Sequence, residues 1–312
     1  MKLSRRRFIK GTATAAGLAM AATAQQTAPP RAVRLGGPVF EQTKDPEELA
    51  LAHVKLGYRG AYCPHVTLED TGRIKALSDA FAKHDVTIAE VGRWCNMMDA
   101  DPVKRRKNIE NVTEGLALAE AVGARCCVNI AGSFNPDSWF GPHPANLSDE
   151  FFDAAVENAR KIVDAVKPKR AKFAYEMMGW SLPDSVDAYI RLMKAIDREG
   201  FAVHLDPCNI INSPERYYRN AEVINDCFDR LGGHIVSCHA KDLTWEVEMN
   251  VHFREVRPGS GDMDYAVYLK RLAELPQQPP LMLEHLANAD EYDAARRHLL
   301  ELAAAIGVQT DG

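Results

Sequence analysis

The sequence predicts a single (β/α)8 barrel, and three observations carry that expectation. Eight short apolar runs alternate with amphipathic stretches along the chain. The amphipathic stretches open and close with helix-capping residues. Polar and charged residues gather at the ends of the apolar runs, as they do at the carboxyl-terminal face of such a barrel. A doubly wound open sheet is the alternative, but the first run leads into Leu35-Gly36-Gly37-Pro38, which is not the Gly-rich turn that cradles a dinucleotide.

The expected strands cover residues 33–40, 60–64, 87–94, 125–131, 172–177, 202–206, 235–241 and 281–286. Several are continuous apolar or β-branched runs, as required of strands buried on both faces. Between them, Asp45-Pro46-Glu47-Glu48 reads as an N-cap, Pro at the first helical position and two acids in the first turn. Asp101-Pro102 and Ser213-Pro214-Glu215 repeat the device, and Ser148-Asp149-Glu150 varies it. Gly57, Gly123, Gly200 and Gly232 stand where helices should stop. Ile109, Val112, Leu116 and Ala119 fall at helical spacing. The segment 132–148, with Trp139, Phe140 and His143, is long for a βα loop and is expected to cover an active site.

Residues 1–24 read as an export signal. Ser4-Arg5-Arg6-Arg7-Phe8-Ile9-Lys10 matches the twin-arginine pattern, a weakly apolar Ala- and Gly-rich run follows, and Ala22-Thr23-Ala24 offers a small-residue cleavage site. That run is too short and too poor in large apolar residues for a stable membrane span. The expectation is therefore an exported or periplasmic protein with no stable membrane insertion after processing. Residues 25–31, with Pro29 and Pro30, read as a linker, and 32–312 as one catalytic barrel. The net charge of −5 argues against a nucleic-acid partner. The seven Cys are scattered and contain no CxxC pair, so they read as buried small hydrophobes. Self-association into a homo-oligomer is left open.

The chemistry is sought in His204-Leu205-Asp206-Pro207-Cys208-Asn209. An apolar run ends here in a carboxylate, and Pro207 stops the ladder. A carboxylate at the end of a buried strand is costly unless paired or metal-bound. Glu176, His239 and Glu284 occupy equivalent places at the ends of their own runs. Three carboxylates and one imidazole suit Mn²⁺, Mg²⁺ or Co²⁺ more than a structural zinc. Mn²⁺ is the first expectation for a single divalent ion, with Mg²⁺, Co²⁺ and Zn²⁺ as alternatives. Each of the four could also be an ordinary buried polar group; their alignment at successive strand ends argues against that.

The ordered segments YEMMGW (175–180), HLDPCN (204–209), SCHAKD (237–242), RPGSGDMDY (257–265) and LMLEHL (281–286) resemble the sugar phosphate isomerase/epimerase family. These are barrels of the xylose isomerase-like superfamily, which also holds endonuclease IV. The resemblance is most specific over residues 172–286. It implies that Glu176, Asp206, His239 and Glu284 bind one divalent metal, and that Glu176 and Glu284 shuttle a proton on opposite faces of the substrate. The chain departs from ketose epimerases in two places. Asn209 stands where they often carry a His, and their Glu and Arg after the strand-seven His are unmatched in His239-Ala240-Lys241-Asp242. Endonuclease IV needs three metals and further His ligands; His65 could supply one, but the rest of that set has no clear match here.

Further substrate contacts are expected at His65, Trp180, His204, Asn209, Lys241 and Arg257. Lys241 shares the inward face with His239 by strand alternation and could replace the Arg, or could pair with a loop carboxylate. His204 points the same way as Asp206 and could instead be a core histidine. Trp180 could stack on a sugar or pack in a loop. His285 should turn away from the barrel axis. The function expected is a metal-dependent isomerase or epimerase that moves a proton beside a metal-bound sugar carbonyl. The alternatives are a metal-dependent lyase that cleaves 3-keto-glycosides by β-elimination and, less favoured, a non-catalytic sugar-binding barrel.

Overall fold

The computed structural model describes residues 31–311. The expected export signal and all of the expected linker but Arg31 lie outside the described residues. In chain order the strands are β1 (Leu35–Gly36), β2 (Gly60–Tyr62), β3 (Thr87–Gly92), β4 (Cys126–Asn129), β5 (Lys172–Glu176), β6 (Phe201–Leu205), β7 (Ile235–Ala240), β8 (Asp242–Trp245), β9 (Phe253–Val256) and β10 (Leu281–Leu283). The helices are α1 (Pro46–Lys55), α2 (Thr71–Lys83), α3 (Pro102–Val122), α4 (Asp149–Val166), α5 (Val186–Ile196), α6 (Pro214–Tyr218), α7 (Asn220–Leu231), α8 (Tyr265–Ala273) and α9 (Ala289–Ala305). Eight strands close into a parallel barrel in the order β1-β10-β7-β6-β5-β4-β3-β2, and β8 and β9 form a separate antiparallel hairpin.

The helix starts follow their sequence devices. Asp45 accepts from the Glu47 and Glu48 amides, and Asp101 from those of Val103 and Lys104. Ser148 and Ser213 cap α4 and α6 in the same manner. Gly57 and Gly123 take the left-handed conformation past the ends of α1 and α3. The other two expected stops differ. Asp197 makes the left-handed cap after α5 in place of Gly200, and Gly232 stays right-handed at the start of a 3-10 turn. The expected strands run past the observed ones mostly at their carboxyl ends, where the chain leaves the ladder for the loops that carry polar side chains.

The core lies between the barrel and its helices. Phe173 and Tyr175 on β5, Phe201 on β6 and Tyr189 on α5 form one aromatic cluster with ring centroids 5.0 to 6.1 Å apart. The Tyr189 hydroxyl lies 2.6 Å from the Tyr175 carbonyl oxygen and accepts from the His204 amide, which ties β5 to β6. Register then sets the depth of the inward side chains. Glu176 pairs with His204 and Met282 with His239, so Asp206 and Glu284 project one inward position farther along their strands.

The hairpin is not expected from sequence. Its residues carry many charges, and its return strand leads into the turn-rich segment from Arg257. Its anchor is Asp242, a buried carboxylate that accepts from the amides of Leu243, Gly259, Gly261 and Met263. Four backbone donors on one carboxylate satisfy its burial and fold the RPGSGD turn around it.

Candidate metal centre

Glu176 ends β5, Asp206 follows β6, His239 lies in β7 and Glu284 follows β10, and all four are buried. One ligand atom from each lies within 4.8 Å of the others. His239 Nδ1 sits 2.9 Å from Glu284 Oε1, 3.1 Å from Glu176 Oε1 and 3.8 Å from Asp206 Oδ2. The structure therefore brings together the four residues singled out as ligands.

Lys241 enters the same cluster, just past β7. Its Nζ lies 2.7 Å from Asp206 Oδ2, 2.9 Å from Glu284 Oε1 and 3.6 Å from Glu176 Oε1. It also donates to Asn209 Oδ1 at 2.9 Å. The Asn209 amide in turn donates to Glu176 Oε1 at 3.0 Å. Although Lys241 is close to Asp206 Oδ2 and Glu284 Oε1, neither oxygen has an aligned hydrogen bond. These contacts are ionic approaches rather than directed bonds.

One site residue was not anticipated. Glu90, in the middle of β3, is buried and accepts from three sides. Its Oε1 lies 3.1 Å from His239 Nε2, and its Oε2 lies 2.9 Å from His204 Nε2 and 3.0 Å from the Ser237 hydroxyl. Glu90 thus engages the His239 nitrogen that faces away from the cluster and leaves Nδ1 toward the carboxylates. A sequence signal existed, since a carboxylate inside a strand buried on both faces needs partners. Glu90→Ala is expected to weaken divalent-metal affinity by about 10- to 100-fold, with a smaller loss in Glu90→Gln. Equilibrium titration with a metal indicator checks this.

The charges explain how the cluster responds to protons. Burial raises the Glu176 carboxyl, and Lys241 and His239 only partly offset it. Burial acts the same way on Asp206, but Lys241 and His239 outweigh it and hold that carboxyl well below its usual range. Glu284 is likewise lowered against its burial, chiefly by His239. Burial would lower His239, yet Glu284, Glu90 and Glu176 raise it well above an ordinary imidazole. Four carboxylates (Glu90, Glu176, Asp206, Glu284) face two cations (Lys241, His239), so the fully ionised cluster carries two excess negative charges. Two orphaned carboxylate oxygens, a convergent ligand set and this charge all fit a divalent cation.

Above the cluster opens a cavity of about 690 Å³. Glu176, Asn209, Lys241 and Glu284 line it at the cluster, Glu255 and His285 add to its polar wall, and its apolar lining includes Trp94, Trp139, Phe140 and Met178. The Trp94 ring stands 6.3 Å from the His239 ring. Other expected contacts lie elsewhere. His204 is wholly buried against Glu90 and does not line the cavity, so the expectation of a substrate contact there is corrected to a core histidine. Its ring meets that of His239 edge-on at 4.2 Å. Arg257 pairs with Glu291 on α9 at 2.9 Å, and Trp180 is exposed; neither lines the cavity. His65 lines an adjoining cleft of about 610 Å³ that shares Pro38 and Tyr62 with the central one. His285 departs from its expectation in the other direction. Its φ of 58° breaks strand alternation and brings it to the cavity wall, where Nδ1 lies 3.1 Å from Glu255 Oε1.

Comparison with known proteins agrees with this architecture. The family model described as the xylose isomerase-like TIM barrel matches residues 47–302. No curated protein matches at a significant level. Among solved structures, a xylose isomerase-like TIM barrel protein from Mycobacterium smegmatis in complex with magnesium is similar, with 16% identity over 89% of this chain and 97% of that one, at a TM-score of 0.61. The 3-keto-D-glucoside 4-epimerase of E. coli shares 13% identity over 88% of this chain and 100% of its own, also at 0.61. D-psicose 3-epimerase from Clostridium cellulolyticum H10, solved with D-tagatose, shares 14% over 88% and 99%, again at 0.61. At these identities the structural matches speak for the fold alone. The match of the family model over most of the chain goes further: the chain belongs to the xylose isomerase-like TIM barrel family.

Proposed function

We propose that this chain is a divalent-metal-dependent enzyme that moves a proton beside the carbonyl of a sugar, as an isomerase or epimerase. The observation that carries the reading is the convergence of Glu176, Asp206, His239 and Glu284 at one end of the barrel, open to a cavity. A divalent ion held there would supply Lewis-acid polarisation of the carbonyl, and Mn²⁺ is the ion we expect. Glu176 and Glu284 rise from β5 and from beyond β10 and both reach the cavity. In this reading one takes the proton from the carbon beside the carbonyl and the other returns one from the opposite face. The Lys241 ammonium and the Asn209 amide hold the sugar oxygens. Related folds include enzymes described as epimerases of 3-keto-D-glucoside and of D-psicose, which is in keeping with this class. The amino-terminal twin-arginine pattern adds the proposal that the chain works after export.

The decisive experiment incubates the Mn²⁺-loaded protein with ketoses and 3-keto-glycosides in D₂O and follows C–H loss by NMR. Exchange at the carbon beside the carbonyl supports the reading; its absence with every substrate, in protein that holds its metal, would end it. The lyase reading shares this proton removal and is kept because the cavity extends well beyond the carboxylates. Product analysis separates the two, since an epimer conserves all atoms and a lyase frees the aglycone.

A further inference from the structure

The apolar part of the cavity asks for an explanation that a sugar ring alone does not supply. Its most exposed aromatics are Trp139 and Phe140 from the loop between β4 and α4, together with Trp94 beyond β3. Trp94, Trp139 and Phe140 remain 44%, 37% and 48% exposed. Large aromatics left open to solvent forgo burial that would otherwise stabilise the fold, so a wall of them is informative.

The loop that bears Trp139 and Phe140 is organised from within. The Nδ2 of Asn146, fully buried, lies 2.9 Å from the Ser133 hydroxyl, 3.1 Å from the Gly141 carbonyl and 3.0 Å from the Trp180 carbonyl, sharing its two N–H donors among them, and Oδ1 accepts from the Phe134 amide at 2.9 Å. Ser133, also buried, donates to the Gly141 carbonyl at 2.7 Å. Asn135 spans the turn, accepting from the Asp137 and Ser138 amides and donating to the Pro142 carbonyl. A buried polar network of this kind fixes a loop before any ligand arrives. The aromatic pair it presents is perpendicular, with ring planes at 86° and centroids 5.3 Å apart. Such a corner accepts a planar ring face-on to one member and edge-on to the other.

The same cavity also carries polar side chains, Glu176, Glu284, Lys241 and Asn209 at the cluster and Glu255 and His285 on its wall. The occupant should therefore be amphipathic over its length. Its volume of about 690 Å³ lies in the middle of the roughly 300 to 1,000 Å³ range of small-molecule clefts, and a single hexose fills well under half of it. We infer that the substrate is a keto-sugar bearing an aromatic aglycone, with the sugar at the carboxylates beside Trp94 and the aglycone on Trp139 and Phe140. This rests on the sugar reading above and specifies its substrate class.

Equilibrium titration of the Mn²⁺-loaded full chain with phenyl and methyl 3-keto-β-glucosides tests the inference, because the two probes share the sugar and differ only in the aglycone. The phenyl glycoside should bind about tenfold more tightly, and Trp139→Ala/Phe140→Ala should bring the ratio close to one. Phe140→Leu, which keeps an apolar side chain of similar size, should lower the ratio only in part. Equal affinities in the wild type, within about twofold, overturn the inference, as does failure to bind either probe. Proton exchange in D₂O is read on the same samples. A phenyl preference without exchange sinks the proton-moving reading and leaves the aromatic subsite standing. Exchange without a preference does the reverse.

Discussion

Asp206→Ala and His239→Ala are expected to leave a folded protein that retains no divalent metal, whereas the wild type loaded with Mn²⁺ should hold about one ion per chain. Elemental analysis after desalting measures this. Asp206 contributes an oxygen without an aligned hydrogen-bond partner, and His239 contributes the nitrogen around which the three carboxylates converge. Removing either breaks the ligand set rather than trimming its edge. Protons should compete with the ion at His239, because the surrounding carboxylates raise that imidazole well above its ordinary value. Metal binding displaces the Nδ1 proton, so affinity should increase with pH. The increase should be up to about tenfold per pH unit below the folded pKa, and flatten above it. A wild type that stays metal-free after incubation with Mn²⁺, Co²⁺, Mg²⁺ and Zn²⁺ would remove the basis of the proposed function.

The second large effect is expected at the two glutamates. Glu176→Gln and Glu284→Gln should each lower proton exchange beside the carbonyl by about 10²- to 10⁴-fold. Both substitutions keep shape and one carbonyl oxygen while removing the base. Metal content must be measured on the same preparations, because each glutamate is also a proposed ligand. A variant that keeps its ion and loses exchange assigns the proton to that residue. A variant that keeps both sinks that residue's assignment.

Much of this site was legible because chemistry and burial conflict openly in the sequence. Asp206 follows an apolar run and precedes Pro207, and Glu284 ends Leu281-Met282-Leu283; a carboxylate in such a place announces a need for partners. The alternation of strands and capped helices carried the barrel. Glu90 escaped because it sits in the middle of its run, between Ala89 and Val91, where the run reads simply as a strand. The role of His204 depended on which neighbour it meets, and that neighbour lies 114 positions away, beyond the reach of periodicity. His285 departs from alternation because alternation assumes extended backbone; β10 ends at Leu283 rather than at residue 286, and His285 has a positive φ. The β8–β9 hairpin hid behind its charges and depends on one buried carboxylate for its anchor.

The position of Lys241 bears on how the molecule acquires its shape. Three carboxylates crowded at the barrel mouth repel one another, and in many small metalloproteins that repulsion is relieved only when the ion arrives, so chelators unfold them. Here a tethered ammonium already stands 2.7 to 3.6 Å from all three. The chain carries its own counter-ion, which separates assembly from loading. Treatment with a chelator should therefore strip the ion while leaving a cooperative thermal transition, and the same treatment of Lys241→Met should lower or broaden that transition. Metal entry becomes an exchange of one cation for another inside a finished barrel.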